Sequence, residues 1–339
     1  MEFTTGGRLE VRITPVDVGK RVSVRQLTDE APPGSKFTDT VGVLTSWDAG
    51  VLSITPRSGV SVRIPESALV AGKTVPPAPA RRRGPSATFP ELARTMARAW
   101  QPAESEQLGD WQLRAAAGFT RRANSVLPLG DPGRPLDEAL DRVTAWYAER
   151  GLPARLQLSS GAEGTQETLA AALEGRGWTR EVSTRVLTGA LAPLGDPARP
   201  LEETVDRVTL SRSCDTSWLN RYQRFSAPDP AILKVLGSGP STWFASVPGS
   251  DGVPVAIGRG VTDGRWAGFM AVEVDPAARR QGLATAVMTA LARRALDEGA
   301  SAAWLQVEEN NGGAGALYEG MGFRTHHRYH YYRPHIPTA

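Results

Sequence analysis

Residues 269–284 read Phe269-Met270-Ala271-Val272-Glu273-Val274-Asp275-Pro276-Ala277-Ala278-Arg279-Arg280-Gln281-Gly282-Leu283-Ala284, and Thr285 to Leu296 continue them. An apolar strand ends at Asp275-Pro276, a basic turn follows, and a helix opens with Leu283, Val287, Met288 and Leu291 spaced for one buried face. At a strand-to-helix junction of this kind the unpaired N–H groups of the first helical turn and the positive end of the helix dipole converge on one spot, which suits a pyrophosphate. Gly282 lets the backbone approach such a ligand, Ala284 keeps the turn uncrowded, and Arg279 and Arg280 add charge. The spacing Arg-x-x-Gly-x-Ala lacks the Gly-Lys-Ser/Thr of a Walker loop and the three glycines of a dinucleotide fingerprint, so a P-loop ATPase is disfavoured.

Downstream, Ala303-Trp304-Leu305-Gln306-Val307 reads as a buried strand. Asn311, Ala314, Leu317, Tyr318, Gly322 and Phe323 then spell Asn-x-x-Ala-x-x-Leu-Tyr-x-x-x-Gly-Phe. On these two motifs, with a strand between them, residues 200–339 resemble the GNAT superfamily, the Gcn5-related N-acetyltransferases. The resemblance implies an α/β (α+β) fold with a mixed central sheet whose fourth and fifth strands splay apart, the pantetheine arm of acetyl-CoA lying in the gap. Val272 and Val274 would then offer backbone groups to the pantetheine. Arg279, Arg280, Gln281, Gly282, Leu283, Ala284 and Thr285 would hold the pyrophosphate, Asn311 would bond near the thiol arm, and Tyr318 would sit beside the thioester sulfur. A phenol of ordinary pKa near 10 is protonated at neutral pH and suits a general acid for the departing thiolate. The implied reaction is direct acetyl transfer to an amine in a ternary complex, with acetyl-CoA as cosubstrate and no metal. The position where some relatives carry a glutamate base is Gln306, which cannot act as one. Glu273 and Glu308 are the nearest carboxylates. Strand parity sets Glu273 opposite Val272 and Val274; it is taken as the base, with a water-relayed proton transfer left open.

The acceptor pocket is expected from Thr216 to Phe225, a helix with Trp218, Tyr222 and Phe225 on one side, from Trp243-Phe244, and from the final strand around His326-His327-Arg328-Tyr329-His330. Three histidines in that strand tempt a metal reading, but adjacent His326 and His327 are expected on opposite faces.

Further upstream, Ala172-Leu173-Glu174-Gly175-Arg176-Gly177-Trp178 parallels Leu317-Tyr318-Glu319-Gly320-Met321-Gly322-Phe323, and Leu156-Gln157 parallels Leu305-Gln306. Residues 88–192 and 200–339 therefore read as two copies of one unit. In the first, Leu173 stands where Tyr318 does, and Leu129-Gly130-Asp131-Pro132-Gly133-Arg134-Pro135 replaces the anion turn with two prolines that carry no N–H. That copy is expected to be degenerate and structural. Its elements are expected as a helix over 92–100, a strand-turn-strand over 111–126 bending at Gly118, and a helix over 135–150. A strand at 156–158, a helix over 168–175 and a strand over 180–187 complete it.

Residues 76–87, rich in Pro, Ala and Arg, read as a linker. Before it, the alternating runs 21–25, 40–44, 51–55 and 60–64 read as a small all-β barrel over 1–75 that resembles SH3-like domains. Barrel, linker and two copies together resemble actinobacterial tandem GNAT proteins.

Composition bounds the rest. The chain has 339 residues, 40% hydrophobic and 22% charged, with one cysteine and four histidines. These values fit a multi-domain globular protein, give Cys214 no disulfide partner, and offer no cysteine or histidine pair spaced for a metal. No run approaches a membrane span and the amino terminus lacks a signal-peptide pattern, so a cytoplasmic protein is expected. The net charge of +3 comes from the first hundred residues, which include Arg81-Arg82-Arg83; that run is too short to argue for nucleic acid. The alternative to an enzyme is a catalytically silent acyl-CoA-binding sensor or adaptor whose barrel recruits a partner.

Overall fold

The computed structural model describes residues 10–27, 37–76, 85–196, 201–224, 229–250 and 252–335. They form two compact units, one from the described parts of 1–80, 158–179 and 334–339, the other from those of 81–157 and 180–333.

In the first unit, β1 (Arg21–Leu27), β2 (Phe37–Asp48), β3 (Val51–Thr55), β4 (Val62–Pro65) and β5 (Leu69–Thr74) form an antiparallel sheet in the order β4-β3-β2-β1-β5. The period-two pattern turns Val22, Val24, Leu44, Leu52, Ile54 and Ile64 inward, where all are fully buried.

Residues 85–196 supply α1 (Phe89–Arg98), β6 (Glu104–Leu108), β7 (Trp111–Ala115), β8 (Leu127–Pro128), α2 (Leu136–Ala148), β9 (Leu156–Ser160), α3 (Glu167–Glu174), β10 (Trp178–Ala190) and α4 (Ala192–Gly195). Thr88 opens α1 by accepting from the Glu91 N–H. Helix α3 packs on β2 within the first unit. The expected second strand running up to Val126 is absent: after β7 the chain turns, and it pairs again at Val126, in a single parallel bridge to Leu156, and in the two-residue β8. The cause is Asn124, whose side chain accepts from the Ala116 and Gly118 N–H groups and donates to the Phe119 and Thr120 carbonyls, closing 116–124 into a loop.

Residues 201–335 add α5 (Glu202–Asp206), β11 (Thr209–Ser211), α6 (Thr216–Arg221), α7 (Pro230–Gly237), β12 (Ser241–Val247), β13 (Ala256–Asp263), β14 (Trp266–Val274), α8 (Leu283–Asp297), β15 (Ala302–Glu308), α9 (Gly312–Gly320) and β16 (Arg324–Pro334). Phe225, expected on α6, lies outside the described residues, as do Arg81-Arg82-Arg83. An eight-stranded mixed sheet runs β11-β12-β13-β14-β15-β10-β16-β9, so strands of both expected copies share one sheet. Strand β10 pairs antiparallel with β15 from Thr184↔Glu308 to Ala190↔Ala302. One face of the sheet buries Val287, Met288, Leu291 and Ala295 of α8. On the other lie Leu92 and Met96 of α1, Trp218 and Leu219 of α6, and Val235 and Leu236 of α7.

In β16 the expected separation of His326 and His327 is overturned. Their Nδ1 atoms are 2.9 Å apart, and His326 Nε2 lies 3.0 Å from the Ala87 carbonyl. No helix among the described residues is long and apolar enough to cross a membrane, and none of their His, Cys, Asp and Glu side chains cluster as a metal site.

Candidate active site

Strands β14 and β15 run parallel and are paired only from Trp266↔Ala302 to Phe269↔Leu305. Beyond Phe269 they part, leaving the inner edges of Met270–Val274 and Gln306–Glu308 without a sheet partner in each other. A bulge causes the divergence. Ala271 has a positive φ of 50°, and the register between β13 and β14 shifts between Ile257 and Arg259, so that Ala271 and Val272 together oppose Gly258. The bulge also resets parity: Phe269 and Val272 face α8, whereas Met270 and Ala271 face the α6 side.

Where β14 ends, Asp275 accepts from the Ala277 N–H and pairs with Arg221 at 2.7 Å, fixing the start of the basic turn. Arg280 adopts a φ of 62°, and Gly282, the residue before α8, a φ of 79°. No side chain caps α8, and among the described residues the N–H groups of Arg279 to Thr285 donate to nothing. Arg279 and Arg280 are exposed and form no ion pair there, Gln281 is exposed, and Gly282, Ala284 and Thr285 are half-buried, while Leu283 anchors the turn in the core. These are the features a pyrophosphate requires: converging donors, a helix dipole and free cations.

Across the gap, α9 carries Tyr318, which with Val272, Val274 and Ala314 borders one apolar cluster. Tyr318 meets Phe323 edge-on at 6.2 Å, and burial raises its phenol above the ordinary value. Its hydroxyl makes no hydrogen bond among the described residues. Asn311 is exposed and caps α9, its Oδ1 accepting from the Ala314 N–H at 3.1 Å. The side-chain oxygen is thus engaged locally and the amide nitrogen is the group left for a ligand.

Glu273 faces the α6 side, where its Oε2 accepts from the Gln223 N–H at 2.9 Å. Burial raises its pKa from the ordinary carboxylate value, opposed by that hydrogen bond and by Arg224 and Arg221. Arg224 also reaches Glu308 on β15 at 3.4 Å. The segment following α6 therefore spans the mouth of the splay and draws together the two carboxylates that the sequence left as candidates. Tyr222, Gln223 and Arg224 were not singled out for this, since nothing in a single sequence ties them to strand ends some fifty or more positions away. Gln306 is held by its neighbours, accepting from the Tyr329 hydroxyl at 3.2 Å and donating to Met96 Sδ at 3.0 Å. Cys214 is half-buried and burial pushes its thiol up, an unreactive setting.

The family described as "Probable histone acetyltransferase Rv0428c C-terminal" matches residues 87–332. The curated protein "Probable histone acetyltransferase Rv0428c" of Mycobacterium tuberculosis is 29% identical over 322 residues, covering 93% of this chain and 94% of its own. Among solved structures, a GCN5-related N-acetyltransferase from Kribbella flavida aligns with a TM-score of 0.53 at 17% identity, over 75% of this chain and 98% of its own. A tandem GNAT protein from the clavulanic acid biosynthesis pathway aligns with a TM-score of 0.51 at 14% identity, over 76% and 91%. The chain belongs to the family of the Rv0428c C-terminal region, and its splayed sheet shares the fold of the solved GNAT structures.

Proposed function

We propose that the protein is an acetyl-CoA-dependent N-acetyltransferase acting directly on an amine within a ternary complex. The observation that carries this reading is the parting of β14 from β15 directly before a turn whose N–H groups are all open. Acetyl-CoA supplies the activated acyl group as a thioester. The turn from Arg279 to Thr285 binds its pyrophosphate, and the freed edge at Val272 and Val274 receives the pantetheine amides. Asn311 offers its amide nitrogen nearby. Glu273, its proton affinity raised by burial, removes a proton from the attacking amine. Tyr318, kept protonated by burial, gives a proton to the departing thiolate. The curated relative is named for histones, so a lysine-bearing peptide belongs among the acceptors tried.

Calorimetric titration of acetyl-CoA into the wild type and Gly282→Glu, followed by thiol release over a panel of amines, tests the proposal. Binding lost in the variant together with amine-dependent release supports it. Binding without release for any amine points to the sensor reading, and absence of binding ends both.

A further inference from the structure

Three arginines lie within the α6 side of the second unit with no carboxylate opposite them. Arg114, 2% exposed, is satisfied by the Ser125 carbonyl and hydroxyl and by Gln157 Oε1. Arg259, wholly buried, donates to the carbonyls of Ala99, Leu236 and Ser238 and to Met270 Sδ. Arg122 differs from both: the residue is half-buried and its guanidinium hydrogen-bonds the Tyr329 hydroxyl, but its Nε is sealed from solvent and has no hydrogen-bond partner. The guanidinium groups of Arg122 and Arg259 lie 5.2 and 5.1 Å from the centre of the same Trp100 ring. Among the described residues no ion pair links any of the three to an acid. Sequestered positive charge of this density normally has a counter-charge, because removing a guanidinium from water is costly unless it is paired and hydrogen-bonded.

The position of Arg122 indicates where that counter-charge comes from. Trp100 stacks on Phe119 at 6.1 Å, Phe119 meets Tyr222 edge-on at 6.2 Å, and the next residue, Gln223, donates to Glu273. An aromatic row thus joins Arg122 to the carboxylate assigned as base. On its other side Tyr329 bonds Gln306, beside the splay. A guanidinium offers a planar fork that matches a carboxylate, and Nε is one prong of that fork.

We propose that Arg122 binds a carboxylate of the acceptor, so that the substrate class is an amine that also carries a carboxylate. The proposal rests on the N-acetyltransferase reading and narrows its acceptor. Glycine, β-alanine, 4-aminobutyrate, 6-aminohexanoate and L-phenylalanine, each beside its own carboxamide, are assayed for thiol release from acetyl-CoA. Wild type, Arg122→Met, Arg122→Lys and Arg121→Met are compared. At least one acid is expected to exceed its amide by about tenfold or more in kcat/KM, the value of one charge-assisted hydrogen-bonded pair. Arg122→Met removes that preference, Arg122→Lys restores part of it, and Arg121→Met retains it. Thermal unfolding of each variant separates lost recognition from lost fold, with Arg122→Lys carrying the test if Arg122→Met unfolds. Amides used as well as their acids, or a preference that survives Arg122→Met, overturn the Arg122 assignment and leave the transferase reading standing. Acetyl-CoA binding with no release from any amine, acid or amide, overturns the transferase reading and the assignment with it.

Discussion

Glu273 must be ionised to accept a proton, and its surroundings pull in two directions. Burial raises its pKa, while the Gln223 N–H and the Arg224 and Arg221 guanidinium groups lower it. The acid limb of kcat/KM should therefore lie above the ordinary carboxylate value of 4.5, activity falling as the pH drops through it. Arg224→Gln, which removes a charge favouring the ionised form, should move the limb higher, and Glu273→Gln should remove the limb and lower the rate by about 10²–10⁴-fold. A pH-rate profile of the three proteins decides this; an unmoved limb in both variants would assign the proton elsewhere. Tyr318→Phe should also lower kcat by about 10²-fold or more without weakening acetyl-CoA binding, since the phenol's proton is needed only as the thiolate leaves.

At the level of single elements, the start of α8 and the body of β16 carry separate consequences. A side chain at position 282 would have to hold a φ of 79°, and its Cβ would come 2.7 Å from Leu201 Cδ1. Gly282→Ala should cost about 1 kcal/mol of stability from the backbone alone and weaken acetyl-CoA binding as the anion turn shifts, as thermal unfolding and calorimetry would report. In β16, His327 is buried beside His326 and its pKa is driven well below the ordinary value, chiefly by desolvation. His330, against Ser183, falls to about 3 for the same main reason. A histidine depressed in the folded state stays neutral there while the unfolded chain takes up a proton. The stability it contributes is complete above the unfolded value near 6.5 and is lost as the pH falls towards the folded value. Each should remove about 1.4 kcal/mol per pH unit below that point. Urea midpoints at successive pH values should fall accordingly, and His327→Phe should flatten the slope by about half.

At the scale of the molecule, the eight-stranded sheet sets the smallest part that can work alone. Because β10 lies between β15 and β16, a fragment of residues 200–339 would expose an edge of each strand, that of β15 along the seven positions paired with Thr184 to Ala190. That fragment should be insoluble or unfolded by circular dichroism, and a soluble, acetyl-CoA-binding fragment would show that β16 can close onto β15 unaided. Arg259 acts at the same scale. It joins the carbonyls at the ends of α1 and α7 to β13, and Arg259→Met would leave the Ala99 and Leu236 carbonyls without this donor at about 1–3 kcal/mol each, while Ser238 keeps the Thr242 hydroxyl.

How much of this the sequence carried depends on where the physics is local. The turn from Arg279 to Thr285 was legible as a candidate because anion binding needs contiguous backbone N–H groups at one helix start, and Asn311, Tyr318 and Phe323 share a single short helix-to-strand motif. The runs of β1, β3 and the apolar face of α8 were legible for the same reason, since a strand or helix repeats its buried positions within a few residues. The loop at 116–124 was not, because one side chain, Asn124, overrides a strand-like run. Nor was the meeting of His326 with His327, beside a carbonyl from residue 87. By itself the sequence determined the family and singled out the turn from Arg279 to Thr285 and the carboxylates of Glu273 and Glu308 as candidates. Only the tertiary structure decided that the bulge at Ala271 turns Glu273 towards α6, that Arg224 bridges to Glu308, that β10 completes the sheet, and that the Nε of Arg122 is sealed from solvent without a partner. Those outcomes arise from groups far apart in the chain, whose pairing depends on how the sheet twists and packs.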